Sequence, residues 1–110
     1  MPYISFMYYF IETKLFTQLI QEYLSDEDYA ELQKVLLVNP EAGNVIPGSG
    51  GVRKIRWRGQ GRGKQGGYRV IYFVKKTAQA FWMLTIYPKN VKDNIPARIL
   101  KQIREEIENE

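Results

Sequence analysis

The stretch "GGVRKIRWRGQGRGKQGGYRVIY", Gly50–Tyr72, holds seven arginines and lysines and no carboxylate. Protein surfaces ordinarily intersperse the two signs of charge, because a field of one sign repels itself and invites association. "VRKIRW" alternates, placing Arg53, Ile55 and Trp57 on one face of a strand and Val52, Lys54, Arg56 and Arg58 on the other. "RGQGRGKQGG" is too rich in glycine for a regular element and reads as a hairpin loop, while "YRVIYFV" is apolar on both faces, as a strand covered on both sides must be. The stretch is therefore an antiparallel hairpin whose first strand carries cations on one face, and the rest of the fold is arranged around it.

Downstream, "AFWMLTIY" is a second doubly apolar strand, joined through the turn "KKTAQ". A final helix over about 96–108 begins at Pro96, in the first helical position, and lines up Ile99, Leu100, Ile103 and Ile107. Upstream, a strand over about 4–12 leads into "TKLFTQLIQEYL", with Leu15, Phe16, Leu19, Ile20 and Tyr23 at helical spacing and Thr13 as its cap. Ser25 precedes a second helix with acids in its first turn and an apolar face of Tyr29, Leu32, Val35, Leu36 and Val38, ended by Asn39 before Pro40. "NPEAGNVIPGSGG" is a loop, and all nine glycines lie between Gly43 and Gly67. The expected class is α+β in the order βααβββα: a small twisted sheet with an N-terminal helical hairpin and a C-terminal helix. The 110 residues suffice for a single domain, with 1–9 a possible strand extension.

Charge is partitioned along the chain. Residues 1–41 carry two bases against seven acids (−5), residues 42–92 eleven bases and no acid (+11), and residues 93–110 three bases against five acids (−2), which gives the net +4. The absence of cysteine removes disulfides, thiolate metal sites and a thiol nucleophile, and suits a cytoplasmic protein. The absence of histidine leaves acid–base chemistry to lysine, arginine, tyrosine and carboxylates, and excludes histidine-ligated zinc. The opening "MPYISFMYYFIE" has neither a basic leader nor the length of a membrane span. The cationic middle calls for a polyanion. The acidic helices suit neither a membrane surface nor the major groove of duplex DNA, whereas sheet-borne arginines beside Trp57, Tyr68 and Tyr87 suit single-stranded nucleic acid. "GQGRGKQGG" lacks the pattern of a nucleotide-binding loop.

The runs "EYLSDEDYAELQ", "NPEAGNVIPGSGGVRKIR", "GRGKQGGYRVIY" and "LTIYPKN", in that order, closely resemble the HigB branch of the RelE superfamily, toxins of type II toxin–antitoxin pairs. The resemblance runs from about Phe10 to the last helix. It implies the βααβββα sandwich and ribosome-dependent cleavage of translated mRNA, without metal or cofactor, by attack of a ribose 2′-hydroxyl on its own 3′-phosphate. Such chemistry needs a base, cations around the phosphorane and an acid at the leaving 5′-oxygen. A lysine crowded by other cations is suited to the first role, since crowding penalises its charged form.

By position, the resemblance assigns Lys54 and Arg56 to base and phosphate contact, Arg69 to transition-state stabilisation, and Lys89 to acid or phosphate ligand. The tyrosine that RelE itself uses falls near Ile95, so its role is vacant or has passed to Tyr87. Arg53, Arg58, Arg62, Lys64 and Tyr68 are expected to contact RNA. The implied partners are a HigA-like helix-turn-helix antitoxin, the ribosome with its mRNA, and operator DNA through the antitoxin alone; no membrane is implied. Two alternatives keep the fold and discard the chemistry: a ParE-like gyrase inhibitor and a non-catalytic RNA-binding module.

Overall fold

The computed structural model describes residues 8–58, 67–91 and 95–109. Its elements follow in the order β1 (Tyr9–Glu12), α1 (Lys14–Tyr23), α2 (Asp26–Val38), β2 (Asn44–Val45), β3 (Arg53–Trp57), β4 (Tyr68–Lys75), β5 (Ala80–Pro88) and α3 (Ala97–Glu108). They form one five-stranded sheet in the order β1-β5-β4-β3-β2, with β1 parallel to β5 and every other pairing antiparallel. The α+β class and the helix–sheet–helix layering are those expected from the sequence.

Both N-terminal helices start where their caps dictate. Thr13 Oγ1 accepts from Phe16 N at 3.0 Å and donates to Leu84 O at 2.8 Å, so one hydroxyl starts α1 and fastens it to β5. Ser25 Oγ accepts from Asp28 N at 3.1 Å, and Asp26, Glu27 and Asp28 stand at the positive end of the α2 dipole. The hairpin packs Phe16, Ile20, Leu24, Leu32 and Leu36 onto Ile55, Tyr68, Val70, Tyr72, Phe81, Met83 and Ile86. On the opposite face α3 packs Leu100 and Ile107 onto Val52, Ile71, Phe73 and Leu84. Lys75 Nζ donates to Ile107 O at 2.9 Å, holding the C-terminal end of α3 against the sheet.

Several expectations are corrected. Val35 and Val38 are 38% and 87% exposed, so the buried stripe of α2 narrows to Leu32 and Leu36 with Tyr29 beside them. Pro96 is the residue before α3 and not its first turn, since its ψ of 143° is extended. The loop after α2 contains the two-residue β2, paired with β3 through Asn44↔Lys54 and Val45↔Arg53. The first strand is described from Tyr9, and residues 1–7 lie outside the described residues. Among the described residues no helix is long and apolar enough to cross a membrane.

Two glycines are required by close approach. A Cβ on Gly43 would lie 2.9 Å from the Tyr72 ring and 3.0 Å from the Lys54 backbone. Its N–H donates to the Tyr72 hydroxyl at 2.9 Å, which donates in turn to Pro40 O at 2.8 Å. Gly67 has φ +65° and would place a Cβ 2.5 Å from Trp57 O.

Candidate active site

The sheet brings four of the expected residues onto one face. Arg56 pairs in register with Arg69, Arg69 with Tyr87, and Lys54 with Ile71. Directly paired residues have Cβ atoms about 5 Å apart, so Arg56, Arg69 and Tyr87 form a row across three strands, with Lys54 one step along β3. This is the face that α3 covers, from Val52, Ile71 and Phe73 as far as Tyr87, which packs half-buried against the same cluster. Beyond it Lys54, Arg56 and Arg58 are exposed, and Arg69 is half-buried.

Tyr87 reaches this face through an irregularity. The register runs Ile71↔Thr85 and then Tyr72↔Met83, which leaves Leu84 as the extra residue of a β-bulge. Before the bulge the odd residues Phe81 and Met83 face the helical hairpin; beyond it Ile86 does, and Tyr87 is turned to the α3 side. Strict alternation would have buried Tyr87 with Met83. A bulge of this kind re-aims a side chain at the rim of a sheet, where sites are built.

Between this row and α3 lies a cavity of about 90 Å³ lined by Ile46, Lys54, Ile71, Tyr87, Ile95 and Leu100. The four aliphatic side chains give the lysine and the phenol an apolar wall on one side. Composition and strand alternation gave no reason to place Ile46 and Leu100 at a site, because an isoleucine or leucine reads as core wherever it falls. Ile95, near which the resemblance places the tyrosine of RelE, lines the same cavity as Tyr87. Among the described residues no group of three histidines, cysteines or carboxylates is placed to share a metal ion.

Four expected contacts fall elsewhere. Arg53 points away from Lys54 and Arg56; its Nη1 donates to Gly43 O at 2.7 Å and its Nη2 lies 3.6 Å from Glu41 Oε2. It fastens the loop after α2 and is not part of the cationic row. Glu41 also accepts from Lys76 at 3.0 Å, and this hydrogen bond, then the charges of Lys76 and Arg53, hold its carboxyl below the usual range. Tyr68 is 5% exposed and packs 5.2 Å from the ring of Tyr23, so it is core and not a stacking platform. Trp57 is half-buried against the same core, in keeping with its place beside Ile55. Lys89 follows the end of β5 in a turn and opens onto a different cleft, with Glu22, Tyr23 and Tyr68. Arg62 and Lys64 lie outside the described residues.

The row can neutralise a tetrahedral or pentacoordinate phosphate with two guanidinium groups, which suit phosphate by geometry and permanent charge. A lysine and a phenol stand close by for proton transfer.

A family model described as the RelE toxin of the RelE/RelB toxin–antitoxin system matches residues 13–108. The fold is similar to that of the intact E. coli RelBE toxin–antitoxin complex, at 19% identity and TM-score 0.56, covering 77% of this chain and 100% of that one. It is also similar to an arginine-to-alanine double mutant of E. coli RelE in the free state, at 19% identity and TM-score 0.58, with 88% and 96% covered. The archaeal RelE–RelB complex from Pyrococcus horikoshii matches at 22% identity and TM-score 0.52, with 77% and 98% covered.

Proposed function

Because the chain belongs to the RelE toxin family, we propose that the bare cationic end of its sheet is the active centre of a ribosome-dependent endoribonuclease that cuts translated mRNA. The observation that carries this reading is the register Arg56↔Arg69↔Tyr87, with Lys54 on the same face. Two guanidinium groups placed directly opposite each other on a sheet are suited to hold one anion between them.

In this mechanism Lys54 takes the proton of the 2′-hydroxyl, whose oxygen attacks the adjacent phosphorus. Arg56 and Arg69 hold the phosphorane oxygens. The bond from phosphorus to the 5′-oxygen breaks, Tyr87 protonates the leaving oxygen, and the products are a 2′,3′-cyclic phosphate and a 5′-hydroxyl. Tyr87 takes the acid role because it lies in the row, whereas Lys89 opens elsewhere.

The order of the sequence runs supports the HigB branch. The similar E. coli and P. horikoshii toxins are found with RelB antitoxins; for this chain the cognate partner is an antitoxin of the HigA-like helix-turn-helix type, through which alone the complex reaches operator DNA. The site of action is the cytoplasm, where mRNA is translated.

The test is the integrity of mRNA during brief induction in bacterial cells, with 5′ ends mapped by primer extension on a translated transcript and on an untranslated copy. The expected result is cuts confined to the translated copy and lost in Arg69→Ala, with antitoxin binding retained. Growth arrest with intact mRNA would overturn the reading and point to gyrase or to passive ribosome binding.

A further inference from the structure

A second cleft lies around the same end of the sheet. The pair Tyr68↔Pro88 is next in register to Arg69↔Tyr87, and successive strand residues point to opposite faces. The cleft is therefore the back of the cationic row, reached around the sheet end. Its volume is about 610 Å³, within the range of small-ligand sites.

Its walls are a set suited to a nucleotide. Tyr68 forms the floor with Tyr23 against it at 5.2 Å, and Pro88 adds a further apolar surface. Lys89 and Asn90 occupy the two central positions of a turn closed by Val91 N to Pro88 O at 3.0 Å, and Lys89 N donates to Gly67 O at 3.0 Å. The backbone under these two side chains is thus closed on itself across the turn and bonded to Gly67, the residue before β4. Glu22 stands at the rim, exposed, at the end of α1. The cleft thus offers an ammonium for phosphate, an amide for base edges, the half-buried ring of Tyr23 for stacking and a carboxylate that accepts hydrogen bonds but cannot donate them.

We propose that this cleft receives a nucleotide neighbouring the scissile phosphate, and that Glu22 selects bases with an exocyclic amino group over uracil, whose one edge donor, N3–H, is flanked by two carbonyl oxygens that a carboxylate repels. The assignment rests on the reading of the cationic row as an RNA-cleaving site, and it gives Lys89 a place in the binding of RNA without a place among the reacting atoms. The substrate strand passes around the sheet end, with its scissile phosphate on Arg56 and Arg69 and its neighbour on Lys89.

The experiment titrates the 15N-labelled full chain with 2′-O-methyl trinucleotides CCC and UUU, which have no free 2′-hydroxyl and cannot be cut. CCC is expected to shift the amides of Tyr23, Gly67, Lys89 and Asn90 together with those of Arg56 and Arg69, and to bind about fivefold more tightly than UUU, the worth of one discriminating base contact. Glu22→Gln, which can donate as well as accept, is expected to erase that ratio, and Lys89→Ala to weaken both ligands equally. Shifts confined to Arg56, Arg69 and Tyr87, no binding by either ligand, or an unchanged ratio in Glu22→Gln would each overturn the proposal. The two readings fail separately. Shifts on both faces in a chain that never cuts mRNA would keep the cleft and lose the nuclease, and cuts with no shifts in the cleft would do the reverse.

Discussion

Arg56 and Arg69 face each other across two strands, and the cost of that pairing falls on the folded state. A like-charged cross-strand pair is worth about 0.2–1 kcal/mol against folding, and about 1 kcal/mol moves the melting temperature of a domain this size by roughly 4–8 °C. Arg56→Ala is therefore expected to raise the melting temperature by a few degrees while abolishing mRNA cleavage, checked by calorimetry beside the primer-extension assay. Tyr29 shows the opposite economy. Its hydroxyl donates to Glu12 Oε2 at 2.8 Å, and burial, followed by that bond and the charge of Glu12, pushes its phenol far above the ordinary value of 10.0. A group whose folded value is raised stabilises the fold below its unfolded value and loses that contribution as pH climbs above it. Urea midpoints measured at about pH 8 and about pH 10.5 are expected to fall more steeply for the parent chain than for Tyr29→Phe, since tyrosine ionises near pH 10 when unfolded.

The hairpin of β3 and β4 and the bulge in β5 set the geometry of the site. The β3–β4 pairing begins where Gly67 passes the Trp57 carbonyl, and Gly67→Ala adds a contact of 2.5 Å to a left-handed backbone. It is expected to cost about 2 kcal/mol or more, read as a lower denaturant midpoint. Thr13 joins a helix cap to a strand, so Thr13→Ala loses both bonds of one hydroxyl and is expected to cost about 1–2 kcal/mol by the same measurement. The alternation in "VRKIRW" was legible because β3 is regular and half-exposed, and Lys54 and Arg56 lie on one face as read. The positions of Tyr87 and Lys89 were not legible. The bulge at Leu84 reverses the alternation that would bury Tyr87, and the turn after Pro88 carries Lys89 to the other side of the sheet end.

The whole molecule carries its cationic middle segment between two acidic ones. The ion pairs of Glu31 and Glu41 reach Lys34, Arg53 and Lys76, and the middle segment also carries the row of Lys54, Arg56 and Arg69. The field of that row is screened by salt over a Debye length of about 10 Å at 0.1 M. Raising NaCl from about 20 to about 300 mM at neutral pH is expected to raise the melting temperature, and less so in Arg56→Ala; a fall in the parent chain would count against repulsion between Arg56 and Arg69. Two layers of helices leave this end of the sheet open, because α3 leaves Arg56 exposed on one face and the hairpin leaves the cleft beside Tyr68 and Pro88 on the other.

By itself the sequence determined the class of fold and the polarity of the site. Caps at Thr13 and Ser25, two strands apolar on both faces, and seven cations without a carboxylate are local or compositional facts, and periodicity and charge report them directly. It was left to the tertiary structure to decide which of the charged and aromatic residues meet. Arg53 was turned to a backbone carbonyl, Tyr68 was buried under Tyr23, Tyr87 was turned up beside Arg69, and Lys89 was sent to a second cleft. The reason is that a face is a property of register, and register is set by bulges, turns and pairing with strands distant in the chain.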